Sequence, residues 1–150
     1  MDGHRLTAGK KKRPLRIIAV NDEPIILEVL KRMFQNSAVA VALKCFTDSG
    51  EAWRELLQTD PDLLITDDAM PGLRGEEIVR RLLERKAAFP IIVMSPWAPT
   101  ETWVRECASR GMNITFLAMP FDLESFRKAL GRFGDYVMAG KQNKEARACG

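Results

Sequence analysis

The sequence is poor in cysteine and has no long apolar run. Its cysteines, Cys45, Cys107 and Cys149, are odd in number and form no Cys-x-x-Cys pair. This pattern argues against a disulfide framework or a zinc site and favours reduced thiols. No apolar run approaches the roughly 20 residues that a membrane-spanning helix needs, and the first one, which Arg16 interrupts, is too short for a secretory signal. We therefore expect a cytoplasmic protein without a membrane association.

Size and composition indicate one folded domain. The chain has 150 residues, of which 46% are hydrophobic and 29% charged, which excludes wholesale disorder. A chain of this length buries about 70% of its unfolded surface, so its core needs no disulfide or metal to hold it together.

The net charge is unevenly distributed. With 23 Lys and Arg against 20 Asp and Glu the formal charge is +3, a balance that by itself suggests nucleic acid as a partner. Residues 1–14 carry +4 and residues 139–150 carry +2, which leaves −3 on residues 15–138. We predict a basic N-terminal tail, a domain over 15–138 that does not bind nucleic acid directly, and a polar C-terminal tail. The basic run at 10–13 resembles a localisation or polyanion-binding patch, but a solvated tail is the favoured interpretation.

Short apolar runs alternate with helical patterns along the domain. Most of the runs are apolar on both faces, which is typical of parallel strands that helices cover on each side. They occupy residues 16–20, 39–43, 63–66, 91–94 and 114–118. Each run is followed by apolar residues at helical spacing: Ile26, Val29, Leu30, Met33 and Phe34; Trp53, Leu56 and Leu57; Val79, Leu82 and Leu83; Val104, Cys107 and Ala108; Leu123, Phe126, Leu130 and Phe133.

Capping signals predict where some of these helices begin and end. Pro24 suits the first position of the first helix, because a residue there needs no hydrogen-bonded N–H. Thr100 is predicted to cap the fourth helix and Gly111 to stop it, and Asp122 is predicted to cap the fifth. Five strand–helix units in strict alternation predict an α/β fold, a flavodoxin-like doubly wound (βα)5 sandwich whose five-stranded parallel sheet has the order 2-1-3-4-5.

Acidic residues follow the first and third strands of this predicted sheet. Ligands of open α/β sheets bind beyond the carboxyl ends of the strands, and strands one and three are neighbours in this order, so Asp22 and Asp67 would face one crevice. Two carboxylates there repel each other unless a cation intervenes. Mg²⁺ suits such oxygen ligands, and a carboxylate beside it is a plausible nucleophile toward a phosphoryl group.

Three other interpretations of this crevice are less well supported by the sequence. The acids could be simple loop caps, since Asp and Asn are common after strands. A flavin binder of the same architecture would need a Ser-, Thr- or Gly-rich phosphate cradle after strand one, where this chain has the acidic turn at residues 21–24. A phosphatase of the haloacid dehalogenase type would need an Asp-x-Asp pair there, which this turn lacks.

Four segments together resemble a CheY-like response-regulator receiver domain. They are IIAVNDEP, PDLLITDDAMPGLRG, the apolar strand that ends in Ser95, and MPFD. The resemblance covers residues 15–137 and implies a phosphoacceptor at Asp67. It also implies a hydroxyl that contacts the phosphoryl group at Ser95, a switch aromatic at Phe116 and a cis peptide before Pro120.

The resemblance further implies a weakly held Mg²⁺. Its ligands would be Asp22, Asp67 and the backbone carbonyl of Ala69, with Asn21 contributing through a bound water. The implied function is phosphorelay signal transduction in a two-component system. Asp67 would take the phosphoryl group from a sensor histidine kinase or a phosphotransfer protein, and the domain would signal to a downstream protein target, with a homodimer as one permitted assembly. Such a domain is not an enzyme in the ordinary sense, although it assists its own phosphorylation and dephosphorylation.

Two residues depart from the family pattern. Met119 stands where the family has a lysine, and a thioether cannot pair with a phosphoryl oxygen as an ammonium does. Asn21 replaces one carboxylate of the usual acidic pair, which should weaken Mg²⁺ binding. Arg74 is the nearest candidate for a replacement cation. These departures leave open a pseudo-receiver, an interaction module that works without phosphorylation.

Overall fold

The computed structural model describes residues 13–135 and residue 137. The strands are β1 (Leu15–Val20), β2 (Val41–Phe46), β3 (Leu63–Asp67), β4 (Ile91–Ser95) and β5 (Ile114–Ala118). The helices are α1 (Pro24–Gln35), α2 (Ser49–Gln58), α3 (Gly75–Glu84), α4 (Ala98–Ser109) and α5 (Leu123–Leu130). None of the helices in this part of the chain is long and apolar enough to cross a membrane.

The strands form one parallel sheet in the order β2-β1-β3-β4-β5. This confirms the predicted fold class and strand order. The three central strands are almost wholly buried, whereas β2 and β5, at the edges, have exposed positions. Apolar residues on both faces of β1, β3 and β4 therefore reflect helices on both faces of the sheet.

Two apolar layers hold the helices to the sheet. Alternate strand residues contribute to opposite layers, because successive side chains of a strand point to opposite faces. One layer packs α1 and α5 against residues such as Ile17 and Ile65. The other packs α2, α3 and α4 against residues such as Ile18 and Leu64. The carboxyl ends of all five strands thus lie at one rim between the two helical layers.

Two predicted boundaries differ from the structure. Strand β2 occupies Val41–Phe46 and not residues 39–43, because its pairing with β1 joins Leu15 to Val41 and Val20 to Phe46. Helix α4 begins at Ala98 with Trp97 as its N-cap, so the prediction that Thr100 caps it is wrong. Pro99 is acceptable in the first turn, and this places Thr100 inside the helix with its hydroxyl free for another partner.

The other local signals are confirmed. Pro24 opens α1, and Gly111 follows the C-cap of α4 with a positive φ of 99°. Asp122 caps α5 by accepting the Ser125 N–H at 2.8 Å. The Met119–Pro120 peptide bond is cis.

Of the two predicted tails, residues 1–14 and 139–150, only residues 13 and 14 lie within the described part of the chain. Arg13, inside the predicted N-terminal tail, donates two hydrogen bonds to the Asp62 carboxylate at 2.8 and 2.9 Å. The division of the chain into a domain and two tails stays a prediction.

Candidate functional site

Several polar residues meet at the carboxyl rim of the sheet. Asn21 and Asp22 follow β1, Asp67 ends β3 and Ser95 ends β4. Because these strands are adjacent and parallel, their ends lie side by side. Met119 follows β5, and its N–H donates to the Ser95 carbonyl at 3.0 Å, which ties it to the same rim.

Asp67 is the residue whose ionisation the rim perturbs most clearly. Partial burial raises the pKa of its carboxyl to about 6, and the nearby charges of Asp22, Asp68 and Glu23 add to this, although a hydrogen bond from the Asp68 N–H opposes it. That N–H donates to Asp67 Oδ1 at 2.9 Å. The charge of Asp22 therefore acts on Asp67 at this rim, and no Lys or Arg forms an ion pair with either carboxylate within residues 13–135.

Close backbone packing fixes the position of Asp67. Gly75, the first residue of α3, lies so near that an added Cβ would come within 2.2 Å of the Asp67 carbonyl oxygen. Its N–H donates to the Asp68 carbonyl at 2.9 Å. The loop between β3 and α3 is also held by buried Ser49, whose hydroxyl donates to the Pro71 carbonyl and accepts the Leu73 N–H. The rim around Asp67 and Ala69 is thus built on fixed backbone.

Asn21 is buried, and its side chain organises the turn after β1. The Oδ1 of Asn21 accepts the Glu23 N–H at 2.9 Å, and the backbone N–H of Asn21 donates to the Phe46 carbonyl. The predicted contact of Asn21 with a metal-bound water would have to use the second lone pair of the same oxygen.

Asp68 was not singled out by sequence reasoning, yet it anchors a second polar cluster. It is 4% exposed. Its Oδ2 accepts the Thr100 hydroxyl at 2.8 Å and the Trp103 indole N–H at 3.3 Å, and Arg74 lies 3.6 Å away. The signal that was available is the Asp-Asp doublet, because two consecutive acids at a strand end must point to opposite faces.

Ser95 joins the two clusters. It is 1% exposed, and its Oγ accepts the Trp97 N–H at 3.0 Å. The same oxygen lies 2.9 Å from the hydroxyl of Thr100. The hydroxyl at the end of β4 is therefore linked through α4 to Asp68.

Of the remaining predicted site residues, Phe116 lies within β5, Met119 follows it and Arg74 precedes α3. Phe116 is partly buried against the layer that contains α4, and Met119 is partly buried against the layer of α1 and α5. Arg74, the candidate replacement cation, is engaged with Asp68 and stays largely exposed. A cleft of about 590 Å³ opens beside Asp68 and Ser95, and Trp97 is among the residues that line it.

The oxygen ligands at the rim fit a weakly held Mg²⁺. The negative charge of Asp22 contributes to the raised pKa of Asp67. A divalent cation between the two carboxylates would relieve this repulsion. Oxygen is the donor that Mg²⁺ prefers, and it commonly takes one or two carboxylates and keeps several waters. No group of three His, Cys, Asp or Glu side chains suited to a metal occurs in the described part of the chain. A Mg²⁺ at this rim would therefore need backbone oxygen and water to complete its coordination.

Comparison with known families identifies a match over most of the domain. The family model described as the response regulator receiver domain matches residues 17–131. Among curated proteins, the probable C4-dicarboxylate response regulator DctR of Bacillus subtilis is 27% identical over 136 residues, which cover 90% of this chain. The chain spans 57% of the length of that regulator.

Solved structures show the same fold. The receiver domain of the Francisella response regulator 1452 has a TM-score of 0.68 at 20% identity, covering 82% of this chain and 98% of that one. The receiver domain of the sensor histidine kinase PA1611 from Pseudomonas aeruginosa has a TM-score of 0.65 at 25% identity, covering 81% and 98%. That second structure has a magnesium ion coordinated in its active site cleft.

Proposed function

The chain belongs to the response regulator receiver domain family, and on this premise we propose that Asp67 accepts a phosphoryl group and that the domain signals by protein–protein contact. Membership in this family supports a role in two-component signalling. The observation that carries the proposal is the placement of Asp67, partly buried at the end of β3 and interacting with Asp22, with its pKa raised to about 6. Most of the Asp67 side chains are then ionised near neutral pH, as a nucleophile requires.

The donor would be a phosphohistidine of a sensor kinase or a phosphotransfer protein. A carboxylate oxygen of Asp67 attacks phosphorus in line, so that the new O–P bond forms as the P–N bond to the imidazole breaks. The imidazole leaves with the electron pair of that bond. Catalysis of this step consists mainly of positioning and charge compensation, and the close contact between Gly75 and the Asp67 backbone supplies the positioning.

A bound Mg²⁺ would supply positive charge to the phosphoryl oxygens. Asp22, Asp67 and the backbone carbonyl of Ala69 would hold it, with Asn21 contributing through water. Asn21 brings no negative charge, and Met119 brings no ammonium to the phosphoryl oxygens. We therefore expect weak Mg²⁺ binding and slower phosphoryl uptake than in a domain with the full family pattern.

The response to phosphorylation would start at Ser95. Its hydroxyl would donate to a phosphoryl oxygen, and Phe116 would turn inward into the space that Ser95 leaves. This rearrangement would change the surface formed by α4, β5 and α5, where a downstream protein target would bind.

The direct test is phosphorylation by a small donor. We expect incubation with acetyl phosphate and Mg²⁺ to add about 80 Da, one phosphoryl group, to the intact mass. The adduct should be absent from Asp67→Ala and present in Asp60→Ala, an exposed acid outside the rim. An adduct that survives in Asp67→Ala would show that the acceptor is another residue.

A pseudo-receiver is the second candidate, and Met119 and Asn21 are the observations that favour it. In that case neither acetyl phosphate nor beryllium fluoride with Mg²⁺ would change the protein. An unchanged intact mass together with an unchanged amide NMR spectrum would support this second function over the first.

A further inference from the structure

A chain of buried hydrogen bonds connects the end of β4 to the acid that follows Asp67. Its members are Ser95, Thr100 and Asp68, which are 1%, 2% and 4% exposed. The Ser95 and Thr100 oxygens are 2.9 Å apart, and the Thr100 oxygen lies 2.8 Å from Asp68 Oδ2. Trp103, one helical turn after Thr100 on α4, reaches the same carboxylate oxygen through its indole N–H.

The hydroxyl protons of this chain have one favoured direction. A carboxylate accepts hydrogen bonds and has none to donate, so the single proton of Thr100 points to Asp68. Thr100 can then only accept from Ser95, which means that the Ser95 proton points to Thr100. The Ser95 oxygen also accepts the Trp97 N–H at 3.0 Å. The single hydroxyl proton of Ser95 is therefore used in its hydrogen bond to Thr100.

Asp68 itself is held on several sides. Its Oδ1 accepts the Glu76 N–H at 3.3 Å, its carbonyl accepts the Gly75 N–H, and Arg74 lies near its other carboxylate oxygen. Asp68, at the carboxylate end of these hydrogen bonds, is therefore fixed to the start of α3. A change at Ser95 must be accommodated by Thr100 and the first turns of α4.

We propose that Asp68 and Thr100 are positioning residues that hold the Ser95 hydroxyl against α4 and compete with the phosphoryl group for its proton. The proposal rests on the proposed function of Asp67 as phosphoacceptor. When Asp67 is phosphorylated, the Ser95 O–H turns to a phosphoryl oxygen and its bond to Thr100 breaks. Thr100 then donates to Asp68 without accepting from Ser95, and the indole of Trp103, bound to the same oxygen, reports the change.

The first experiment uses the unaltered protein and the indole N–H signals of its tryptophans. Adding beryllium fluoride with Mg²⁺, which mimics the phosphoryl group, should shift the Trp103 indole signal along with the amide signals of Asp67 and Ser95. Trp53, which lies on α2 beside Arg81, serves as the internal reference and should stay unchanged. If the Asp67 amide shifts and the Trp103 indole does not, the proton chain is refuted while the proposed function stands. If no amide near Asp67 shifts, both are refuted.

The second experiment compares two substitutions of one residue. Thr100→Val keeps the shape of the side chain but removes the hydroxyl, whereas Thr100→Ser keeps the hydroxyl. Removal of one competing hydrogen bond should make beryllium fluoride bind about twofold to tenfold tighter to Thr100→Val. Thr100→Ser should stay near the unaltered protein, which a merely structural loss of packing would not produce. Equal affinities of the two variants would overturn the proposal, and if Thr100→Val does not fold, the Trp103 signal of the unaltered protein decides.

Discussion

At the scale of single residues, the ionisation of Asp67 has a measurable effect on stability. Its pKa in the folded protein is about 6 against an ordinary value of 3.8, mainly because of burial. The folded state therefore binds a proton more tightly than the unfolded state, and stability falls as the pH rises from about 4 to above 6. A shift of this size corresponds to about 3 kcal/mol in full, and to about 1–3 kcal/mol once solvent screening at a partly exposed group is allowed for.

We accordingly expect Asp67→Asn to stabilise the metal-free protein by about 1–3 kcal/mol near pH 7.5 and by much less near pH 4. Urea unfolding in the presence of a chelator at the two pH values measures the difference. Asp60→Asn, which removes a carboxylate at an exposed position, is the control and should change the free energy of unfolding by less than about 0.5 kcal/mol. A variant no more stable than the parent protein near pH 7.5 would show that the acids at the rim do not destabilise the fold.

Met119 offers a second residue-scale test, because the resemblance predicts a lysine at its position. A lysine there would place an ammonium among the acids of the rim, where opposite charges at short range interact by several kcal/mol. Met119→Lys should speed phosphoryl uptake from acetyl phosphate by about tenfold or more. Met119→Gln is the matched control, since it adds polarity without charge. Similar rates for the two variants would mean that the missing charge does not limit the reaction.

At the scale of elements, the junction of β3 with α3 depends on the absence of a side chain at Gly75. A Cβ there would lie 2.2 Å from the Asp67 carbonyl oxygen and 2.8 Å from the Asp68 Cα, both of them backbone atoms that cannot easily move aside. Gly75→Ala should cost about 3 kcal/mol, the upper end of the range for overpacking, and should also displace Asp67.

Gly111→Ala is the comparison for this variant. Gly111 has a φ of 99° but open space around it, so its cost should be about 1–2 kcal/mol and come from backbone strain alone. Denaturant unfolding gives both costs, and the mass adduct shows whether Asp67 still reacts. Only Gly75→Ala should lose the adduct. If Gly75→Ala still forms the adduct at the normal rate, the close packing at Gly75 is not what positions Asp67.

Helix and strand periodicity predicted all ten elements in their order, but it could not predict which neighbour each side chain meets. In α1, Val29 was expected on the buried face, yet it is 40% exposed while Leu27 is buried. The boundary of β2 followed from its pairing with β1, a contact between distant parts of the chain. Thr100 is a residue type that favours N-caps, but α4 begins three residues earlier than a Thr100 cap would place it, with Pro99 in its first turn, and the Thr100 hydroxyl contacts Asp68 instead.

For the molecule as a whole, parallel strands explain why the rim could be predicted in outline. Any residue at a strand's carboxyl end must lie at the rim, so Asn21, Asp67 and Ser95 could be placed there from sequence alone. The direction of each side chain could not be inferred in the same way. Asp67 and Asp68 are adjacent in sequence but serve different clusters, one with Asp22 and one with Thr100.

Charge distribution leads to a final prediction at this scale. The chain carries +3 in total, but residues 15–138 carry −3 and have acids at the rim. We therefore expect the full chain to bind a heparin column more strongly than a variant limited to residues 13–138, which should not be retained. That variant keeps the Arg13–Asp62 ion pair. A full-length variant with Gln at positions 10–12 controls for chain length. Both variants should keep the melting temperature and the Asp67 adduct of the full chain, and heparin binding by the shortened variant would show that a basic surface exists within the domain.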